Sequence, residues 1–470
     1  MFATRLISAC CLFLPAMYGL AQNAKPLCLH PDNPHYLLFR DKPAVLITSG
    51  EHYGAVLNGD FDFIPYLDEQ KDHGLNLTRT FSGTYREDPN AFGITDNTLS
   101  PVNYVCPWAG DNKGEYDLTQ FNPAYWDRLK KFVGEAGKRG IVVEYVLFCT
   151  LYNDDLWKIN PLHEQNNSNG IGKGVGRREV YTLQHKEITA IQEAFVRKAA
   201  AELRDFDNVY FEICNEPYFE NVTDEWQAHI AQTLTDAEKD LPNKHLISQN
   251  IANGKKKVDK PNPLVSILNF HYATPPDTVD DNYATGRVIA DDETGFRGKD
   301  DVLYRTEGWE FILAGGAIYS SLDYSFTPKT PTGTLRDFKS PGGGSPELRQ
   351  QLGHLRRFID GFDFVKLKPM NGILRNGQVT MPLVGGKTQN SSVRILGQEG
   401  KAYALYIRGG TSARLELDVP SGNYTVQWLS PRTGQWEKTD NIEATGFPIR
   451  ITSPNYTEDI AAKVVRLEVK

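Results

Sequence analysis

Two kinds of hydrophobic pattern alternate along the chain between about residues 44 and 369. Short runs rich in β-branched residues predict strands, and longer stretches with a helical apolar period predict helices. Eight strands are predicted in this region, over residues 44–49, 75–81, 141–148, 208–214, 245–249, 264–270, 287–292 and 317–324. Because apolar strands separated by helices are typical of parallel sheets covered by helices, eight such units predict a closed (β/α)8 TIM barrel.

Two connections in this pattern are unusually long. About residues 81–121 follow the second strand and 149–184 follow the third, and both are rich in Gly, Asn and aromatic residues. They are far longer than the roughly two to six residues that usually join barrel elements. Both leave the carboxyl ends of strands, where barrel active sites lie, so they are expected either to close one end of a substrate cleft or to extend it.

The helical period disappears after Lys368-Pro369. Apolar alternation over 402–407, 413–419, 424–429 and 462–469, separated by Gly, Pro and Asn turns, predicts a small antiparallel β-sandwich. We expect a barrel over residues 22–370 and a sandwich over 371–470.

The N-terminal segment, residues 1–21, has the features of a secretory signal peptide. Arg5 precedes an apolar run, and Gly19-Leu20-Ala21 supplies small residues for cleavage before Gln22. Ile7-Ser8-Ala9-Cys10 resembles a lipoprotein box, although the apolar run before Cys10 is short, so a lipid anchor is the minor alternative. No later stretch is long and apolar enough to span a membrane. The mature protein is therefore expected to be secreted or periplasmic.

Charge and cysteine content narrow the function further. The chain has 51 Lys and Arg against 59 Asp and Glu, a net charge of −8, and no long basic run, which disfavours nucleic acid as a partner. Four cysteines lie beyond the signal segment, at Cys28, Cys106, Cys149 and Cys214. They are too few and too scattered for a disulfide framework or a zinc site, and no histidine spacing indicates a metal, so no metal or cofactor is expected.

Two glutamates stand at the ends of predicted strands on opposite sides of the barrel. Glu216, in Asn215-Glu216-Pro217, follows the fourth strand, and Glu293 ends the seventh. Such a pair suits glycoside hydrolysis by double displacement, in which one carboxyl protonates the leaving oxygen and the other attacks the anomeric carbon. Neighbouring carboxylates compete with Glu293 for the second role, namely Asp291, Asp292, Glu307 and Glu310.

These motifs resemble the cellulase-like glycoside hydrolases of family 5 and their clan A relatives, which carry Asn-Glu-Pro after strand four and a glutamate after strand seven. The resemblance extends to Leu75-Asn76-Leu77-Thr78-Arg79, to His271-Tyr272 after strand six, and to the tail, which is similar to the collagen-binding-type domain that follows such barrels. It implies that Arg79 supports the nucleophile. Glu51-His52-Tyr53-Gly54 after strand one looks more like secreted bacterial members of the clan.

The roles expected of the site residues follow from charge and hydrogen bonding. Arg79 beside Glu293 would keep that carboxylate ionised, leaving Glu216 as the proton-carrying acid. The Tyr272 phenol can hydrogen-bond the nucleophile, and Asn215 can donate to a sugar 2-hydroxyl. Glu212, which shares the strand parity of Glu216, is expected to pair with a buried cation.

Other residues are ambiguous between substrate contact and packing. His52 and Tyr53 could contact sugar or cap the first strand. Aromatic side chains that could stack on sugar rings or merely fill the core are Trp309, Trp108, Trp157 and Tyr152. Many members of the resembled family carry a tryptophan after strand eight, where this chain has Ser320-Ser321-Leu322-Asp323-Tyr324.

Together these features predict a secreted, retaining glycoside hydrolase that cleaves O-glycosidic bonds of an oligo- or polysaccharide, with β-linkages favoured. Glu216 is the expected acid/base and Glu293 the expected nucleophile. The alternative is a catalytically silent carbohydrate-binding or adhesion protein, and a metal-dependent hydrolase is a more distant one. The sequence does not predict which sugar is cleaved, whether attack is internal or terminal, or the oligomeric state.

Overall fold

The structure is a computed structural model that describes residues 25–50, 53–110, 115–242, 244–380, 391–446 and 448–467, with the backbone of 383–384 and 387–388. Residues 1–21, which the sequence predicts to be a signal peptide, and His52 lie outside the described residues. No helix in these ranges is long and apolar enough to cross a membrane.

Eight parallel strands form the predicted barrel. In chain order they are β1 Leu46–Gly50, β2 Leu77–Phe81, β3 Val142–Cys149, β4 Val209–Asn215, β5 Ile247–Asn253, β6 Ile267–His271, β7 Val288–Glu293 and β8 Ile318–Leu322. Neighbours pair in the order β1-β8-β7-β6-β5-β4-β3-β2. Between β1 and β2 the Asn76 side chain accepts from Ile47 N at 2.9 Å, and Tyr53 bridges to Thr80, which nearly closes the circle.

Among the described residues, six helices that the apolar period predicts cover the outside of the barrel, and two short helices that it does not predict lie in the connections after β3 and β6. They are α1 Phe63–Asp72, α2 Pro123–Lys138, α3 Asp154–Lys158, α4 Lys186–Leu203, α5 Asp224–Ala237, α6 Asp277–Asn282, α7 Asp301–Ala314 and α8 Pro346–Asp360. Local signals set several starts. The Asn122 and Ser345 side chains cap the first turns of α2 and α8, and a proline follows each.

The long connection after β2 carries a hairpin of Trp108–Gly110 and Tyr116–Phe121. The part of this connection that precedes the hairpin is bonded to the segment after β8, because Thr95 N donates to Lys339 O at 2.9 Å and Lys329 pairs with Asp96 at 2.7 Å. The connection after β3 carries α3, and Asn160 Nδ2 donates to Thr84 O at 2.9 Å. The two long loops are thus bonded to each other and to the barrel rim.

Antiparallel sheets follow the barrel, as predicted. A six-stranded sheet faces a three-stranded one across an apolar core that includes Tyr403, Leu405, Leu415 and Ile451. The first sheet contains Lys368–Pro369, Ser392–Gln398, Ala402–Arg408, Asp459–Arg466, Gly422–Leu429 and Trp436–Ala444, and the second contains Leu374–Thr380, Ser412–Leu417 and Ile449–Thr452.

Helix α7 joins the barrel to the larger sheet. Buried Arg305 pairs with Asp459 at 2.9 Å and with Glu458 at 2.8 Å. Trp309, fully buried, lies against the Tyr406 ring with centroids 5.5 Å apart. The helix therefore buries a polar and aromatic face under the sheet as well as an apolar face on the barrel.

Because this contact is buried and charged, replacing Arg305 with alanine is expected to lower the free energy of unfolding by about 3–5 kcal/mol, leaving Asp459 without its cation. Urea unfolding would measure the change. The same substitution at exposed Arg204 should change it by less than about 0.5 kcal/mol.

Removing residues 371–470 should likewise lower the melting temperature. A truncated barrel as stable as the full chain would contradict this structural role of the sheet.

Candidate active site

Glu216 and Glu293 stand at opposite sides of the barrel mouth, directly after β4 and at the end of β7. A carboxylate oxygen of each, together with a His271 ring nitrogen, lies within 4.8 Å of the others. Both glutamates line a cavity of about 390 Å³ at the carboxyl ends of the strands. The two carboxyl groups can therefore act on opposite sides of one bound atom.

Glu293 is held by three donors. Tyr53 Oη donates to Oε2 at 2.7 Å, Arg79 Nη1 donates to Oε2 at 3.0 Å, and Tyr272 Oη donates to Oε1 at 2.8 Å. Burial raises the pKa of both tyrosines well above 10, so they remain neutral donors. These contacts orient one carboxylate edge toward the cavity.

Arg79 faces more than one carboxylate. Its guanidinium lies 3.0 Å from Glu293, 2.5 Å from Glu212, 3.6 Å from Glu144 and 3.7 Å from Asp292. The side chain is buried at the end of the barrel interior. Glu212 is therefore in contact with a buried cation, and that cation is the same arginine that contacts Glu293.

A register irregularity explains why adjacent Asp292 and Glu293 both point at this cation. In the β6–β7 pairing Phe270 faces Asp291, but His271 faces Glu293, so Asp292 is one residue in excess. Such a bulge re-aims the side chains that follow it. His271 lies next to both, with Nε2 3.3 Å from Asp292 Oδ1 and Nδ1 3.6 Å from Glu293 Oε2.

Glu216 has its own set of donors. Tyr152 Oη donates to Oε2 at 2.5 Å, Tyr218 Oη donates to Oε1 at 3.3 Å, and His271 Nδ1 lies 3.4 Å from Oε1. Its backbone has φ +49°, and its N–H donates to Asn250 Oδ1 at 2.8 Å. A non-glycine residue in the left-handed region costs energy, so the surrounding hydrogen bonds hold Glu216 in this position.

Asn215 is buried below Glu216 and fully engaged. Its Oδ1 accepts from Arg79 Nη2 at 2.8 Å, and its Nδ2 donates to the Tyr152 oxygen at 2.9 Å. It links the donors of one glutamate to the donors of the other.

The sequence predicts that Glu216 carries the proton, but the pKa shifts of Glu216 and His271 favour a different distribution. Burial raises the pKa of Glu216, but hydrogen bonds and charge from His271 and the Tyr152 hydrogen bond outweigh it, so its pKa lies below the ordinary value. Burial lowers the pKa of His271, yet the carboxylates of Glu293, Asp292 and Glu216 raise it well above 6.5. These shifts favour the proton on His271 rather than on Glu216, because the imidazole is surrounded by carboxylates.

The carboxylates around Arg79 divide into charged and neutral members. Burial raises the pKa of Glu144 well above its ordinary value and, partly offset by Arg79, raises that of Glu212 to about 7. Burial also disfavours the charge on Asp292, but Arg79 and His271 lower its pKa to about 2. One guanidinium and one imidazolium thus favour the ionised form of Asp292, while burial and the neighbouring carboxylates favour the protonated form of Glu144.

Two groups among the described residues have the spacing of metal ligands, Glu216-His271-Glu293 and Glu144-Glu212-Asp292. In the first, the surrounding carboxylates raise the pKa of His271 well above 6.5, which favours the imidazolium, and an imidazolium has no free lone pair to coordinate an ion. In the second, Arg79 already supplies the positive charge at 2.5 Å from Glu212. The donor chemistry of both groups fits cationic side chains rather than a metal.

The cavity brings in residues that sequence reasoning did not place in the site. Asn253, which ends β5, and Glu87 and Phe92, from the long loop after β2, line the cavity. Tyr218, after β4, does not line it but contacts Glu216 and Asn253. Tyr152, left open between stacking and packing, contacts Glu216 directly. The side chains of Phe92, Phe219 and Phe296 are 41–49% exposed around the mouth. Their aromatic character was visible, but no periodic pattern marks their position in a loop.

Trp309 does not belong to the site, which corrects the sequence expectation. It lies in α7, fully buried between Phe358 and Tyr406, because the C-terminal sheet covers that face of the helix. Trp108 and Trp157 are also buried away from the cavity. Of the competing carboxylates, Glu307 accepts from Thr294 and Arg297, and Glu310 pairs with Arg408 at 2.6 Å.

Comparison with solved structures identifies similar folds. A structure named "Glycoside hydrolase" superposes with a TM-score of 0.64 at 14% identity, covering 94% of this chain and 97% of that one. A glycoside hydrolase family 5 protein from Bacteroides vulgatus gives 0.62 at 14% identity, covering 94% of each chain. At this identity the likeness is one of fold. Neither a protein-family model nor a curated protein matches the chain.

Proposed function

We propose that the protein is a retaining glycoside hydrolase, with Glu293 as nucleophile and Glu216 as acid/base. The observation that carries the proposal is the approach of the two carboxylates within 4.8 Å at the ends of β4 and β7. Retaining enzymes place these groups about 5–5.5 Å apart, whereas inverting enzymes leave about 6.5–9.5 Å for a water molecule. The family 5 likeness in fold supports the same reaction class.

In the first step Glu293 attacks the anomeric carbon while the bond from that carbon to the leaving oxygen breaks. Glu216 gives its proton to that oxygen. In the second step Glu216 takes a proton from water, the water oxygen bonds to the anomeric carbon, and the ester to Glu293 breaks. Tyr53, Arg79 and Tyr272 hold the nucleophile in place throughout, because all three donate to it.

His271 supplies the proton that Glu216 needs. Its Nδ1 lies 3.4 Å from Glu216 Oε1, and its Nε2 lies 3.3 Å from Asp292 Oδ1. When Nδ1 gives up its proton, the ring becomes neutral and keeps its other proton toward Asp292. The pair therefore delivers one proton to the leaving oxygen, although the lowered pKa of Glu216 favours its ionised form.

This sharing predicts a pH effect of replacing His271 with glutamine. Because the pKa of His271 is raised well above 6.5, the wild-type site keeps its proton to high pH, and loss of that proton sets the basic limb of kcat/KM. Without the imidazole the proton must reside on a carboxyl, so the basic limb should move to lower pH. His229→Gln, at a surface pair with Glu193, is the control. An unmoved basic limb in folded His271→Gln would contradict proton storage on His271.

Covalent trapping tests the proposed function itself. Purified protein would be screened against aryl glycosides and polysaccharides, and then treated with a 2-deoxy-2-fluoroglycosyl fluoride of the preferred sugar. We expect hydrolysis and a mass increase of one glycosyl unit on the peptide that carries Glu293. Carbohydrate binding without hydrolysis or adduct would instead favour the silent binding protein.

Export is part of the proposal and is supported by the apolar run and small residues of positions 1–21. Expression of the full chain followed by N-terminal sequencing should give a start near Gln22 in the periplasm or medium. A lipid-modified Cys10 would show the alternative route.

A further inference from the structure

A third carboxyl group lines the cavity of Glu216 and Glu293. Glu87, in the loop after β2, is 6% exposed and belongs to the lining of the same cavity. It makes no contact with either proposed catalytic glutamate, so the mechanism above does not use it.

The loop itself holds this carboxyl group in place. Asn97 Nδ2 donates to Glu87 Oε2 at 2.5 Å, Tyr85 Oη donates to Oε1 at 3.4 Å, and Glu87 N donates to Leu99 O at 2.8 Å. Among the described residues Glu87 forms no salt bridge. Burial raises its pKa to about 7, in part against these hydrogen bonds. Burying a carboxyl group without a nearby cation lowers the stability of the fold. A carboxyl group that is nevertheless retained in the wall of a cavity is a candidate for contact with a ligand.

Glu87 lies toward the part of the cavity that holds the glycosyl ring. Apart from His271, the partners of Glu216 are Tyr152 after β3, Tyr218 after β4 and Asn250 in β5, so the leaving oxygen that Glu216 protonates is expected on that side. Glu87 comes from the loop after β2. Tyr324, after β8, lies near both Glu293 and Glu87, because the charges of both carboxylates raise the pKa of its phenol. The ring that becomes attached to Glu293 therefore extends toward Glu87.

The same loop closes the cavity on this side. Phe92 meets Phe296, which follows β7, edge-on with centroids 5.6 Å apart. The adjacent main chain is bonded to the segment after β8 through Thr95 and Lys339 at 2.9 Å. A cavity of about 390 Å³ is near the lower end of ligand pockets, which run from about 300 to 1,000 Å³. An end closed by these contacts suits a chain terminus better than a passing polymer.

We propose that Glu87 hydrogen-bonds hydroxyl groups of the terminal sugar bound over Glu293, and that the closed end makes the enzyme release single sugars from non-reducing ends. The inference rests on the proposed glycosidase function. We expect this part of the cavity to bind neutral sugars, because Glu87 and Glu293 would repel the carboxylate of a uronic acid. None of the described residues that line the cavity is basic, so none would offset this repulsion.

A cycle of protein and substrate changes tests the contact. The probe is the aryl glycoside that the wild type hydrolyses fastest, with analogues that each lack one ring hydroxyl. Glu87→Ala should lower kcat/KM about 10- to 100-fold, the scale of a hydrogen bond to a charged group. With the wild type, the analogue that lacks the contacted hydroxyl should have a kcat/KM lower than that of the parent glycoside by a similar factor. With Glu87→Ala, the same analogue should have nearly the same kcat/KM as the parent glycoside, because the contact is already absent. If the two losses multiply for every analogue, Glu87 contacts no hydroxyl and the proposal is wrong.

Controls separate this contact from folding and from the proposed function. Glu87→Gln keeps the shape of the side chain and should fold and lose less, and exposed Glu225→Ala should leave kcat/KM unchanged. Digestion of a preferred oligosaccharide should release only single sugars at early times, whereas a ladder of products would overturn terminal action. Absence of both hydrolysis and covalent adduct in the wild type would instead reject the glycosidase proposal.

Discussion

Replacing Glu293 with alanine is expected to abolish hydrolysis of every glycoside, including those with dinitrophenol as leaving group. The loss should be on the order of 10⁴-fold or more, the scale seen when a covalent nucleophile is removed. A good leaving group cannot compensate, because the missing group is the one that attacks the anomeric carbon. Release of dinitrophenolate, followed by absorbance, measures the loss. Azide can enter the vacated space and attack from that face, so any rescued product should have inverted configuration.

Glu216→Ala should behave differently. Substrates that need protonation of the leaving oxygen should slow by about 10²–10⁴-fold, while dinitrophenyl glycosides should still form the glycosyl-enzyme. Without a base to activate water the intermediate accumulates, and azide, which needs no base, should accelerate turnover. The product of a β-glycoside should then be the β-glycosyl azide.

The two variants check each other because both carboxylates lie in one cavity. The reverse pattern would exchange the proposed roles of Glu216 and Glu293. Glu225→Ala, on the exposed face of α5, controls for loss of a glutamate elsewhere. If the first product released by the wild type has inverted configuration, the retaining mechanism is wrong whatever the variants do.

Much of the candidate active site could be predicted from the sequence, because its residues follow or end predicted strands. In a barrel of parallel strands, all carboxyl ends meet at one face, so residues that end β4, β6 and β7 must come together there. Arg79 lies within β2 rather than at its end, so its place in the site is expected from the resemblance of Leu75-Asn76-Leu77-Thr78-Arg79 to the family 5 enzymes. The sequence could not show that Asp292 also reaches Arg79, since that depends on one surplus residue in the β6–β7 pairing.

Trp309 shows why a helical aromatic is difficult to assign from sequence. Helix α7 is buried on nearly all sides, and its aromatic and charged residues could point to substrate, barrel or solvent. Only the position of the C-terminal sheet decides the matter, because Tyr406 and Asp459 cover that face. Contacts between segments this far apart in the chain, with 154 positions from Arg305 to Asp459, leave no local pattern.

Loop residues were missed for a different reason. Glu87, Tyr218 and Phe92 lie in segments with no period of 2 or 3.6, so their direction cannot be derived from spacing. The proton on His271 was missed because the charge expectation considered Arg79 alone. Three carboxylates around one buried imidazole change the balance, and their distances of 3.3–3.6 Å come only from the folded chain.

Replacing Arg79 with glutamine is expected to destabilise the protein by about 3–5 kcal/mol at neutral pH, the scale of breaking a buried ion pair. The guanidinium lies within 4 Å of Glu293, Glu212, Glu144 and Asp292, and no other described arginine or lysine is in the same position. Urea unfolding measures the stability. Activity should fall at least about 10-fold in folded protein, because Glu293 loses a charge-assisted hydrogen bond.

The pH dependence of that loss identifies its cause. In the wild type the pKa of Asp292 is lowered to about 2, so its contribution to stability is present above its ordinary pKa and is lost as the pH falls toward 2. Without Arg79 the remaining buried carboxylates hold protons more tightly than in the unfolded chain, so the stability of Arg79→Gln should fall as the pH rises. The deficit relative to wild type should therefore be larger at pH 8 than at pH 5. Adding Glu212→Gln should restore part of it, because one unpaired carboxylate is removed. A deficit equal at both pH values and additive with Glu212→Gln would mean that Arg79 contributes packing rather than charge.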